Sequence, residues 1–125
     1  MNQYILLYIL IVHWIADFVL QTHTEATNKS TSWYWLLKHT LKYTYTLWVC
    51  GVFYVLFNIR IYQPWSLTYF CIITFLCHTA TDYFTSKLAR RYFSVGNYHN
   101  GFVVVGFDQI LHYIQLYLTF KYLLI

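Results

Sequence analysis

The chain has 125 residues, enough for one domain. It is 59% hydrophobic and only 10% charged, against a usual charged share of about 25%, which excludes a conventional hydrated surface and makes lipid the expected solvent. The net charge of +4 follows from basic residues gathered in the linkers and gives no reason to invoke a nucleic-acid partner.

The first apolar run is Tyr4–Gln21, close to the roughly 20 residues a helix needs to cross hydrocarbon. It holds His13 and Asp17 and has no basic leader, which argues against a removable signal peptide. Thr22 to Ser32 is polar and reads as a loop, with Thr31 or Ser32 available to cap the next helix. The second run, Trp33–Phe57, contains His39. Asn58 to Pro64 reads as a short turn, with Pro64 suited to the first turn of the third helix. The third run, Trp65–Ser86, contains His78 and Asp82. Ser94 to Gly101 carries Gly96, Asn97 and Asn100 and reads as a turn-rich link. The fourth run, Gly101–Leu124, contains Asp108 and His112.

These runs predict an all-α fold: a polytopic transmembrane four-helix bundle, up-down-up-down, as a single integral-membrane domain over residues 1–125 with the lipid bilayer as its partner. Trp33, Trp65, Tyr62, Tyr92 and Tyr122 fall near run ends, where interfacial aromatics gather. Lys29, Lys38, Lys42, Lys87, Arg90 and Arg91 mark one side of the bundle, against Arg60 and Lys121 on the other. The excess places both longer linkers in the cytoplasm and both termini outside it. Cys50, Cys71 and Cys77 lie inside the runs, and an odd number of such thiols argues for packing rather than a disulfide framework.

The runs share one chemical pattern. His13 and Asp17, His78 and Asp82, and Asp108 and His112 are each four residues apart, and residues at that spacing share a helix face. The order reverses in the fourth run, as an antiparallel fourth helix requires if all three pairs are to present His and Asp at matching levels. His39 falls at the same level in the second helix. The candidate metal ligands are therefore His13, Asp17, His39, His78, Asp82, Asp108 and His112. Imidazole nitrogen and carboxylate oxygen suit one or two divalent transition metal ions, with zinc, iron or manganese as candidates. Gln21 and Gln109 are placed to orient ligands or to meet a substrate, and Lys42 to offset charge. The competing expectation is a metal-free His–Asp network that only specifies helix pairing.

His13-x-x-Ala-Asp17, His78-x-x-x-Asp82-Tyr83 and Asp108-Gln109-x-x-His112 resemble an uncharacterised family of small bacterial and phage integral-membrane proteins, a domain of unknown function. The resemblance implies a polytopic membrane protein and brings no established activity; the expected location is the bacterial inner membrane. A looser similarity links the chain to small membrane-bound metal-dependent hydrolases, although it has no HExxH motif. The functional expectation is a metal-dependent hydrolase acting on a lipid or other ester or phosphoester, with an anionic lipid head group drawn to the basic residues. Two alternatives stand beside it: a non-catalytic protein with a structural His–Asp network, and a divalent cation transporter or sensor. The second rests on the similarity of His-x-x-x-Asp to the binding motif of cation diffusion facilitators.

Overall fold

The computed structural model describes residues 3–57 and 65–123. The turn expected over 58–64, with Arg60, Tyr62 and Pro64, lies outside the described residues. Among the described residues all regular structure is helical: α1 (Gln3–Trp14), a π-helical turn (Ile15–Val19), α2 (His23–Asn28), α3 (Trp33–Phe57), α4 (Trp65–Ser94) and α5 (Tyr98–Leu123).

The long helices alternate in direction. Tyr8 meets Cys50 while His13 meets Tyr43, so α1 and α3 are antiparallel. Trp33 stacks on Tyr83 and Thr79 bonds Thr40, which sets α3 against α4 the same way. Phe93 packs on Phe102, Thr85 bonds Asp108 and Gln115 bonds Thr74, which runs α5 back along α4. The apolar core fills one end of the bundle, with Ile9, Val12, Leu47, Phe70, Leu116 and Phe120 in one cluster. Buried polar side chains share the rest of the interior with Leu36, Ala89 and Val104, while Leu7, Ile11, Leu76, Phe84, Phe102 and Phe107 stand on outward faces. Those outward side chains remain solvent-accessible in the isolated chain and gain little from the hydrophobic effect on folding.

The transmembrane expectation is overturned, and with it residence in the inner membrane and the assigned sidedness. No helix among the described residues is long and apolar enough to cross a membrane. The physical reason lies in what fills the runs. α1 has only 12 residues. The longer helices are interrupted by Lys38, His39, Thr40, Lys42, Thr44 and Thr46 in α3, by His78, Asp82, Lys87, Arg90 and Arg91 in α4, and by Asp108, Gln109, His112 and Gln115 in α5. Tyr adds ring area but carries a hydroxyl, so a run rich in Tyr and Thr is less apolar than its aromatic content suggests. The basic residues also have partners within the chain. Lys42 pairs with Glu25, Lys87 lies over the Tyr83 ring and Lys38 over Trp35.

Helix ends also differ from expectation. α4 continues past Ser86 to Ser94, and α5 begins at Tyr98 rather than Gly101. The stop is a Schellman turn: Gly96 takes φ 75°, its N–H donates to the Phe93 carbonyl, and the Asn97 N–H donates to that of Tyr92. Asn97 Oδ1 then accepts from the Asn100 N–H and starts α5. Gly101 lets the Phe93 ring close over this turn, since a Cβ there would collide with the ring.

The segment expected as a loop contains α2. Thr22 and Glu25 form a capping box: the Glu25 N–H donates to Thr22 Oγ1 at 3.2 Å, and the Thr22 N–H donates to Glu25 Oε2 at 2.7 Å. The Thr31 hydroxyl donates to the Asn28 carbonyl instead of capping α3. Lys42 Nζ donates to Glu25 at 2.5 Å and docks α2 on α3. Thr22→Ala is expected to lower stability by about 1 kcal/mol, seen as an earlier urea midpoint with an unchanged slope.

Candidate metal centre

α1 ends in the π-helical turn, where the Leu20 N–H reaches the Ile15 carbonyl at 2.9 Å. A π turn holds one extra residue and so rotates the side chains after it about the helix axis. It separates the first His/Asp pair, leaving His13 Nε2 3.8 Å from Asp17 Oδ2, beyond hydrogen-bond range. His13 instead accepts the Tyr43 hydroxyl on Nδ1 at 2.7 Å and donates from Nε2 to Gln109 Oε1 at 2.8 Å. Asp17 turns toward α3 and α4. The other two pairs sit in regular α-helix: His112 Nε2 lies 3.3 Å from Asp108 Oδ2, within hydrogen-bond range, and His78 Nε2 lies 3.6 Å from Asp82 Oδ2, just outside it.

Two groups of ligand atoms result, Asp17, His39, His78 and Asp82 in one and Asp17, Asp108 and His112 in the other. Six of the seven expected ligands thus gather in these groups, and His13 belongs to neither. In the first group, His39 Nε2 lies 3.0 Å from Asp17 Oδ1 and 3.4 Å from Asp82 Oδ2. His78 Nε2 lies 3.5 Å from Asp17 Oδ1 and 3.3 Å from His39 Nε2. Ligand atoms about 2.0–2.2 Å from a tetrahedral divalent ion lie about 3.3–3.6 Å from one another. The observed spacings, 3.0 Å to 3.6 Å, bracket that interval. The buried His/Asp groups can therefore hold a metal ion.

Neighbouring groups orient these ligands. Gln21 Nε2 donates to His39 Nδ1 at 3.1 Å. With its amide turned the other way, Gln21 would accept Nδ1–H and leave the Nε2 lone pair for a cation. Gln109 Nε2 donates to Asp17 Oδ2 at 3.1 Å and to Asp108 Oδ2 at 3.0 Å. His78 is sandwiched between the Tyr43 and His112 rings, at 3.9 Å and 4.1 Å. Its Nδ1 has no partner among the described residues.

Three participants escaped the reading of the sequence. Lys29, counted there only as linker charge, donates from Nζ to Asp82 Oδ2 at 2.7 Å. It takes the charge-offsetting place expected of Lys42. Tyr43 is fully buried and binds His13; it comes four residues after His39, so helical spacing could have flagged it. Thr85 donates to Asp108 Oδ1 at 2.5 Å. No local signal announced Lys29, because its position depends on α2 folding back.

Burial and charge compete at these groups. Burial pushes His78 down to about 3 despite the nearby Asp82 carboxylate, so the ring is neutral. Burial acts the same way on His112, but its bonds to Asp108 and Asp82 override it and raise the ring to about 9. Burial would raise Asp17 and Asp82; the hydrogen bond with His39 and the Lys29 charge for the first, and the Lys29 charge and the bond with His112 for the second, hold both below the usual carboxylate range. The signs fix a pH profile for the metal-free protein. His78 contributes stability that is lost as pH falls from 6.5 toward 3, and the two aspartates add to the acid-side loss. His112 contributes stability that is lost as pH rises from 6.5 through about 9. Chelator-treated protein should show its highest thermal midpoint near pH 6.5; a midpoint still rising at pH 9 would contradict this assignment of charges.

A cleft of about 430 Å³ opens onto the centre, lined by Asp17, Gln21, Lys29, Asp82, Asp108 and Gln109. Thr27, Ser30, Ser86 and Arg90 also line it, with Arg90 3.5 Å from the Ser30 hydroxyl. The buried Ser86 hydroxyl has no partner among the described residues.

Comparisons with curated proteins and with solved structures find no match. A protein-family model does match, over residues 5–124, and its description, protein of unknown function (DUF3307), supplies no activity. That span takes in every residue of the centre and of its cleft, and the chain belongs to the DUF3307 family.

Proposed function

We propose that Asp17, His39, His78 and Asp82 bind a divalent transition metal ion, zinc, iron or manganese, and that the adjoining cleft presents an anionic ester or phosphoester for hydrolysis. The observation that carries this reading is that the four ligand atoms, on three helical segments, all lie within 4.8 Å of one another, with each imidazole nitrogen 3.0 Å to 3.6 Å from the other and from both carboxylates. Bound there, the metal would supply a Lewis acid and activate water near neutral pH. The chain supplies the rest. Lys29 and Arg90 attract a negative group into the cleft, and the Gln21 and Gln109 amides keep the ligands aimed.

A metal-free network is the second reading, and one observation favours it: the Lys29 ammonium already touches Asp82. The two separate in one assay. Chelator-treated protein is titrated with zinc or manganese in the presence of p-nitrophenyl phosphate and, in parallel, p-nitrophenyl acetate. Turnover that appears only with metal supports the hydrolase. Metal bound without turnover of either ester overturns the hydrolase and keeps the metal site, and no metal bound leaves the structural network.

A further inference from the structure

Asp17 and Asp82 each aim one oxygen at the first group and the other away from it. Asp17 Oδ1 faces His39 and His78, while Asp17 Oδ2 faces Gln109. Asp82 Oδ2 faces His39 and His78, while Asp82 Oδ1 lies 3.3 Å from His112 Nε2. His112 Nε2 also lies 3.3 Å from Asp108 Oδ2. The outward oxygens therefore border a second set of donors, Asp108 and His112. A single amide nitrogen, that of Gln109, touches both Asp17 and Asp108 there. These oxygens face donor hydrogens, the arrangement a carboxylate adopts where positive charge belongs.

We infer that the centre holds two divalent cations, bridged by the Asp17 and Asp82 carboxylates, with Asp108 and His112 completing the second position. This deepens the metal reading above and rests on it. Spacing and donor chemistry agree: the second set offers oxygen donors and one imidazole, which suits manganese or iron as well as zinc. Bringing His112 into the set requires its ring to be neutral, so filling the second position releases a proton.

Charge sets the order of filling. Three carboxylates face the Lys29 ammonium and, while the second position is empty, the protonated His112 ring. One divalent cation already offsets this surplus of negative charge. A second leaves the centre cationic, so it binds more weakly than the first and binds better with an anion in the cleft. The anion that fits is a phosphate or phosphate ester, because Lys29, Arg90 and the Ser86 hydroxyl, which has no partner among the described residues, line the same cleft as Asp108. Phosphate is thus the substrate class favoured over a neutral carboxylic ester.

The test uses full-length chelator-stripped protein titrated with manganese chloride, with and without inorganic phosphate, and read by electron paramagnetic resonance and by elemental analysis. Two manganese ions per chain with a spin-coupled spectrum, the second ion tightened at least tenfold by phosphate, is the expected result. Asp108→Asn is expected to bind one uncoupled ion. Saturation of the unsubstituted chain at one ion, with no coupled signal at any concentration, overturns the second position and leaves the first standing. Failure to bind any ion overturns both. The coupled signal belongs to the unsubstituted chain, so the test survives an Asp108→Asn variant that does not fold.

Discussion

Asp82→Asn is expected to lower divalent-metal affinity by at least a hundredfold while leaving the helical content unchanged. Asp82 meets Lys29, His39, His78 and His112. Losing a group that merely orients a ligand costs about 10–100-fold in affinity, and Asp82 is itself a ligand with oxygens on both sides. Asn keeps the size and one acceptor oxygen, so cavity formation does not confuse the outcome. The same change strands the Lys29 ammonium, and breaking a buried pair costs about 3–5 kcal/mol. Isothermal titration with zinc, beside far-ultraviolet circular dichroism, checks both halves. Unchanged zinc affinity in a folded Asp82→Asn protein would remove Asp82 from the site.

Lys29→Met should act in the opposite way on metal and on stability. Met preserves most of the aliphatic stem, so the change isolates the charge. In the metal-free protein it leaves Asp82 facing Asp17 and Asp108 without an ammonium, a loss of about 3 kcal/mol. A divalent cation supplies the missing charge, so saturating metal is expected to restore the melting temperature to near that of the unsubstituted protein. Metal affinity should rise, because the ion no longer shares Asp82 with Lys29. Thermal melts with and without zinc measure this. A Lys29→Met protein as unstable with zinc as without it would mean that ammonium and metal do not share the Asp82 charge.

The clustering of these side chains was largely legible from spacing. The His/Asp pairs of α4 and α5 stay 3.3 Å to 3.6 Å apart because they sit in regular α-helix, and His39 joins them at the same level. His13 could not be placed from spacing, because the π turn at Ile15–Val19 rotates Asp17 away from it. The four long helical runs were also legible, but their solvent was misjudged. Counting Tyr and Trp as apolar hides how many Thr, His, Lys and Gln side chains each run carries, and no described helix is long and apolar enough to cross a membrane. α2 was readable in principle, since Thr22 and Glu25 spell a capping box, but six residues between polar flanks gave no apolar periodicity to draw attention to it. The place of Lys29 was beyond local reading: it depends on the Glu25–Lys42 contact that folds α2 back over the bundle.

Elemental analysis of the purified protein, prepared without chelator and compared with Asp82→Asn prepared identically, is the decisive measurement for the metal centre. At least one zinc, iron or manganese ion per chain is expected in the unsubstituted protein, and only trace metal in the variant. Trace metal in both, with no zinc, iron or manganese taken up on addition to the unsubstituted chain, would contradict a metal centre at Asp17, His39, His78 and Asp82.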